Sequence, residues 1–246
     1  MASMNRYRTE FHMHTRASND SLMGRFALLF MCRHRKVDCV AITDHNEVEG
    51  AFALKPWLEE RGLSVIVGEE VFTSEGEIVG LWLTEKIEQG LTPEETIRQI
   101  RAQGGAVYIP HPYDSKRSKT VLKRKALLRI AADIDCIEIH NGRNIEACFD
   151  EEQEMAYIQA AQINPSIRRV IGCDAHCFFE VGRNTVVTDK PVTKETFPQC
   201  LDNALFEPSA CHLLAHRTTR FTRLVKLIVG GDFHEIYRAL ARKLSH

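Results

Sequence analysis

Seven short β-branched or apolar runs, separated by helix-length segments of mixed polarity, constrain the fold of this chain more than any other feature. The runs are Thr9 to His14, Val40 to Thr43, Ser64 to Val67, Ile78 to Leu83, Ala106 to Ile109, Ile134 to Ile139 and Arg169 to Cys173. Between them lie Leu22 to Arg35, Glu47 to Arg61, Pro93 to Gln103, Thr120 to Ala132 and Glu151 to Ile163. Strand and helix in alternation predict parallel βαβ units. The helix punctuation agrees: Thr92-Pro93-Glu94-Glu95 reads as an N-cap, a first-turn proline and a capping-box glutamate, while Gly62, Gly104 and Gly105 close the preceding helices. A chain of 246 residues suits one large domain or two small ones. With no repeat, linker or composition change before about residue 205, the sequence favours one barrel-like domain over 1–205 and a helical extension over 206–246.

Apolar residues at 44% and charged residues at 26% are ordinary for a globular chain, and the net charge of −1 demands neither a nucleic-acid nor a membrane partner. No run approaches the ~20 apolar residues of a membrane span, and the first residues lack a basic-then-apolar leader. A cytoplasmic location is the expectation. Of eight cysteines, Cys39, Cys136, Cys148, Cys173 and Cys200 sit in or beside apolar runs and read as reduced core residues. Cys173 and Cys177 flank Asp174 and His176, but no second cysteine pair completes a zinc knuckle.

Ligand-type side chains recur at the ends of the apolar runs: His12-Met13-His14, Thr43-Asp44-His45, Gly68-Glu69-Glu70, His111-Pro112 and Asp174-Ala175-His176. On an extended strand, members two residues apart point to one face and can grip one ion. Taken singly, each has a structural explanation; Asp44, for instance, could cap a helix beginning near Glu47. Five such groups at five strand ends point to a polynuclear metal site at the C-terminal rim of a parallel barrel. His34, His212, His216, His234 and His246 lack strand context and read as surface or packing residues, and His140 shares a strand face with Glu138.

The series His12-x-His14, Ser18-Asn19-Asp20-Ser21, Thr43-Asp44-His45, Gly68-x-Glu70, His111-Pro112, Glu138-x-x-Asn141 and Asp174-x-His176 resembles the polymerase and histidinol phosphatase (PHP) superfamily, in that family's order, up to about Arg183. The resemblance implies a distorted (β/α)7 barrel with two or three divalent ions, Mn, Fe or Zn. It implies that His12, His14, Glu70 and Asp174 hold one ion, that Glu70 bridges to a second held also by His111, and that Asp20, His45 and His176 hold a third. Many relatives place a further histidine where this chain has Glu77; a carboxylate there can still bind such an ion.

Clustered divalent ions lower the pKa of a shared water and hold the resulting hydroxide in line with phosphorus. No Ser-His-Asp set, Cys-His set or Gly-rich phosphate loop offers another nucleophile or cradle. Hydrolysis of a small phosphorylated metabolite or nucleotide is the expected activity, with a carboxylic ester or amide hydrolase, or a non-catalytic metal-binding module, as alternatives. His176 and Asp20 are candidate leaving-group acids, and Asp44 is a candidate to orient His45. The loop Lys116-Arg117-Ser118-Lys119, together with Asn141, Arg143 and Arg183, suits a phosphoryl group, Arg143 foremost. Only one loop and one helix fit between Leu83 and Ile109, so an open pocket is expected. Beyond Phe206, Arg217, Arg220, Arg223 and Lys226 recur at helical spacing, which suits a barrel-capping helix with a solvated basic face or, as the alternative, a helix that meets nucleic acid or an acidic membrane surface. A second helix is expected near Phe233 to Leu244.

Overall fold

The computed structural model describes residues 6–117, 120–143, 151–210 and 214–229. All seven expected strands form: β1 (Tyr7–Met13), β2 (Cys39–His45), β3 (Ser64–Thr73), β4 (Gly76–Leu81), β5 (Ala106–Ile109), β6 (Cys136–Asn141) and β7 (Arg168–Gly172). The helices are α1 (Arg25–Arg35), α2 (Glu49–Glu59), α3 (Pro93–Ala102), α4 (Arg124–Ile130), α5 (Glu151–Ala161) and α6 (Ala215–Val229). Two short strands that the sequence reading did not include, β8 (Thr185–Thr188) and β9 (Leu205–Glu207), pair antiparallel beside β1.

The sheet runs β7-β6-β5-β4-β3-β2-β1-β8-β9 and almost closes on itself. Met13 bridges Ala175 just beyond β7, through His14 N–H to the Ala175 carbonyl at 2.9 Å and Ala175 N–H to the His12 carbonyl at 3.3 Å. The result is a nearly closed α/β barrel. Apolar residues alternate between its two faces. Val40, Ile42, Val65 and Val67 pack outward against Leu28, Cys32, Ala51 and Leu58 of the helices, while Phe11, Ala41, Ile66, Val79, Leu81 and Tyr108 form a separate inner cluster. Burial of each such large side chain contributes roughly 1.5–3 kcal/mol.

One expectation is corrected. The strands are not all parallel: β4 pairs antiparallel with both β3 and β5. Only Ser74 and Glu75 separate β3 from β4, and two residues can close a hairpin but never a parallel crossover. The turn is tight, with Thr73 Oγ1 donating to the Gly76 carbonyl at 2.6 Å. Gly76 has φ of 125°, and a Cβ there would collide with the Leu122 backbone. The reversal has a consequence for the site. Glu77 lies at the start of its strand, and only because β4 is reversed does it reach the rim formed by the ends of β1, β2 and β3.

The capping reading of α3 holds: Thr92 Oγ1 accepts from the Glu95 N–H at 3.3 Å. Asp44 does not cap α2, whose N-cap position is Val48. The six described cysteines are free, with Cys39, Cys136 and Cys173 buried and Cys200 half-buried. Cys148, Ser118, Lys119, His212, His234, His246 and the helix expected near Phe233 lie outside the described residues.

Candidate metal centre

Nine side chains from the strand ends and the loops after them converge at one rim of the barrel. His12, His14, Asp20, Glu70, Glu77, His111, Asp174 and His176 are all buried, and only His45 is partly exposed. Within 4.8 Å of one another lie ligand atoms of four overlapping sets: His12, His14 and Asp174; His12, Glu70 and His111; His45, Glu70 and Glu77; and His14, His45 and His176. Glu70 is central. Its Oε1 is 2.9 Å from His111 Nε2 and 3.5 Å from His12 Nε2, and its Oε2 is 2.9 Å from His45 Nδ1. Asp174 Oδ1 stands 3.2 Å from His14 Nε2, and Asp20 Oδ2 stands 3.3 Å from His176 Nε2 and 3.6 Å from His45 Nε2.

Irregular backbone puts them there. Register shifts mark β1 between Glu10 and Met13 and β6 between Glu138 and His140, bulges of the kind that re-aim side chains next to functional sites. In β6 the bulge separates Glu138, which faces the cluster, from His140, whose Nε2 lies 3.3 Å from the Ser209 carbonyl; the two do not share a face as expected. His111 and Asp174 have φ of 30° and 50°, left-handed values that cost a non-glycine residue roughly 1–3 kcal/mol each. Asp174 therefore lies past the end of β7, and its approach to His176 comes from the turn rather than from strand alternation.

The electrostatics describe a site built for cations. Burial, with the His176 and His45 rings nearby, pushes His14 down to about 3, which keeps it the neutral ligand form. Burial opposes ionisation of Glu70 and Asp174, yet His12 and His45 around Glu70, and Arg117 and His12 around Asp174, hold both well below the usual carboxylate range. Glu77 is pushed well up by burial and by Glu70. Two buried carboxylates this close resist joint ionisation unless a positive charge sits between them. The Nε2 atoms of His12 and His14 and Glu77 Oε2 are buried without a hydrogen-bond partner. A buried polar atom left without any partner is costly, and a divalent ion held among these ligand atoms would satisfy them. The mixed imidazole and carboxylate donor set suits Mn²⁺, Fe²⁺ or Zn²⁺.

Behind these residues stands Glu138. Its Oε1 is 3.3 Å from His12 Nδ1 and accepts from Tyr108 Oη at 2.7 Å, while its Oε2 accepts from His111 N–H at 2.6 Å and Asn141 Nδ2 at 3.0 Å. Holding Nδ1 of His12 turns Nε2 toward the cluster. The signal for this role was a lone carboxylate in the apolar run Cys136-Ile137-Glu138-Ile139.

Comparison with known proteins places the chain. No family model matches it. It is 35% identical over 145 residues to the uncharacterized protein MJ1587 of Methanocaldococcus jannaschii, covering 55% of this chain and 82% of that one. It is 30% identical over 178 residues to the uncharacterized protein MJ0417 of the same organism, covering 71% and 68%. The chain belongs to the family of these two proteins. Among solved structures it is similar to a two-domain protein from Bacteroides vulgatus containing a predicted PHP-like metal-dependent phosphoesterase, with TM-score 0.65 and 14% identity over 89% of this chain and 70% of that one. It is also similar to an amidohydrolase from Chromobacterium violaceum with bound SO4, with TM-score 0.53 and 15% identity over 87% and 96%. Its fold is the PHP-like barrel.

Above the centre of this PHP-like barrel opens a cavity of about 430 Å³, bounded by Asp20, His45, Glu77, Asp174 and His176 on the barrel side. Lys116, Arg117 and Arg143 line it. Arg117 bonds Asp174 Oδ2 at 2.5 Å and Asp114 Oδ2 at 3.0 Å. Arg143 reaches Glu180 Oε1 at 3.4 Å and Thr219 Oγ1 at 2.8 Å, and its Nη1 is 3.0 Å from His176 Nδ1. Asn141 is fully buried and braces the site, its Oδ1 accepting from Arg143 N–H at 3.0 Å.

Three assignments change. Arg183 donates to Ser209 Oγ at 2.8 Å and lies off the cavity, because the chain turns away after His176. Asp44 points away from the His45 ring; its oxygens accept from Thr15 N–H and Oγ1 and from Ser18 Oγ, each at 2.6 Å, so it anchors the loop that carries Asp20. The basic face of α6 is not simply solvated: His216, Thr219, Arg220 and Arg223, at helical spacing, line the cavity. Arg223 bonds Asp20 Oδ2 at 2.6 Å, and Lys226 bonds the Arg16 carbonyl at 2.7 Å. Among the described residues, no helix is long and apolar enough to cross a membrane.

Proposed function

We propose that this chain is a metal-dependent phosphoesterase that hydrolyses a small phosphorylated metabolite or nucleotide. The observation that carries the reading is the buried convergence of nine imidazole and carboxylate side chains, with orphaned ligand atoms, beneath a cavity walled by arginine and lysine. In this reading His12, His14, Glu70 and Asp174 hold one ion, Glu70, His111 and Glu77 a second, and Asp20, His45 and His176 a third. Such ions, when bound, activate water and neutralise the non-bridging phosphoryl oxygens.

The chain's own residues do the rest. Arg143 presents a guanidinium at the cavity wall, held by Glu180 and Thr219, and sets a positive charge beside the phosphoryl oxygens. Glu138 and Asn141 hold His12, Arg143 and Arg117 in place, which removes reorganisation from the reaction. His176 Nδ1 lies 2.8 Å from the Asp174 carbonyl and 3.0 Å from Arg143 Nη1, while Nε2 faces Asp20 Oδ2 at 3.3 Å. His176 and Asp20, at the cavity floor, would return a proton to the leaving group only while not coordinating an ion; burial opposes ionisation of Asp20, yet His176 and His45 hold it well below the usual carboxylate range, which leaves His176 the better placed of the two.

A second reading, a carboxylic ester or amide hydrolase on the same centre, draws support from the similar amidohydrolase fold. The arginine- and lysine-lined cavity over the metal centre favours the phosphoryl reading. Metal-replete protein offered aryl phosphate mono- and diesters, phosphometabolites and carboxylic esters separates the two. Phosphate or phenol release from the phosphate esters is the expected result; hydrolysis of carboxylic esters alone would overturn it.

A further inference from the structure

Five cationic side chains from the barrel loops and α6 line the cavity, and they divide into two kinds. Arg117, Arg143 and Arg223 are committed to Asp174 and Asp114, to Glu180, and to Asp20, respectively. Lys116, from the loop after β5, and Arg220, from α6, line the same cavity, are exposed, and have no ion-pair partner among the described residues. Both are absent from the floor where the metal ligands meet. A cavity of about 430 Å³ falls in the ordinary range for a small-molecule pocket and exceeds what one phosphoryl group fills.

We propose that Lys116 and Arg220 form an anion subsite that binds a second negatively charged group of the substrate, distal to the scissile phosphoryl. The proposal rests on the phosphoesterase reading and narrows it to substrates with two anionic ends. A guanidinium and an ammonium without an ion-pair partner among the described residues line one cavity, and a second phosphoryl or carboxylate group of the substrate would pair with both. Because Arg220 belongs to α6, the helix acts as a specificity element of the site. Its placement is consistent with this: Arg143 donates to Thr219 Oγ1, the neighbour of Arg220, so the helix is tied to the barrel one residue away.

The test separates the subsite from the hydrolysis. Calorimetry on metal-replete protein would compare phenylphosphonate with its para-carboxy and para-phosphono derivatives, none of which is hydrolysed. The two-anion ligands are expected to bind about 10–100-fold more tightly than phenylphosphonate. The larger gain from the carboxy or the phosphono derivative identifies the second group. Arg220→Ala and Lys116→Ala, both surface changes, are expected to erase most of that gain, read within each variant as the ratio of two-anion to phenylphosphonate affinity, and Arg220→Glu is expected to reverse it. Equal affinity for all three ligands, or a gain that survives in both alanine variants, would overturn the subsite. Failure to hydrolyse phenyl phosphate, read separately, would instead overturn the phosphoesterase reading.

Discussion

The floor and the wall of the cavity are built on opposite principles. The floor consists of side chains set on strand ends, almost all fully buried, each fixed by neighbours such as Glu138 and the Thr15–Ser18–Asp44 hub. The wall consists of long cationic side chains on a loop and a helix, several of them exposed. Rigid strand ends suit ligand geometry, which tolerates displacements of only tenths of an ångström, whereas loops and an added helix can change without disturbing the barrel. In the proposed function, chemistry belongs to the floor and the choice of substrate to the wall.

Substitutions should separate the two along that line. The largest effect is expected at the floor: His12→Ala and Asp174→Ala should lower phosphate-ester hydrolysis below detection and reduce bound metal, with a far-ultraviolet circular dichroism spectrum matching the parent. Activity that persists in both would dissolve the distinction. Arg143→Ala, at the junction of floor and wall, should reduce kcat/KM by about a hundredfold to a thousandfold, the loss typical of one preorganised electrostatic contact, without lowering metal content. Glu138→Gln acts through His12 rather than on substrate. It should weaken metal affinity about 10–100-fold, measured by competition with a fluorescent chelator, and added metal should restore its kcat. The smallest effect is expected at Arg183, which lies off the cavity against Ser209: Arg183→Ala should leave kcat/KM unchanged in the same assay. A large loss there would extend the wall to a place the structure does not.

The floor was legible in the sequence because its chemistry is written in residue types: histidine and carboxylate at five strand ends have few other uses. Even there, spacing alone misled in places. His140 stands two residues from Glu138, but a bulge turns it elsewhere, and Asp174 approaches His176 through a left-handed backbone that no alternation pattern encodes. The reversal of β4, which brings Glu77 to the rim, was implied by the two-residue Ser74-Glu75 turn, yet the strand-helix rhythm overrode it. The wall was less legible. Arg220 and Arg223 read as a solvated face because helical spacing shows which residues share a face and not what the face meets. Arg183 matched by charge and proximity in sequence and still points away.

The most direct test of the central claim counts ions and turnover in one preparation. Protein expressed and purified with Mn²⁺, analysed by elemental mass spectrometry and assayed on an aryl phosphate ester, is predicted to carry at least two ions per chain. Its hydrolysis should rise with ion content and vanish with Asp174→Ala. Fewer than one ion per chain, or a full site that releases no phosphate from any ester, would contradict the account.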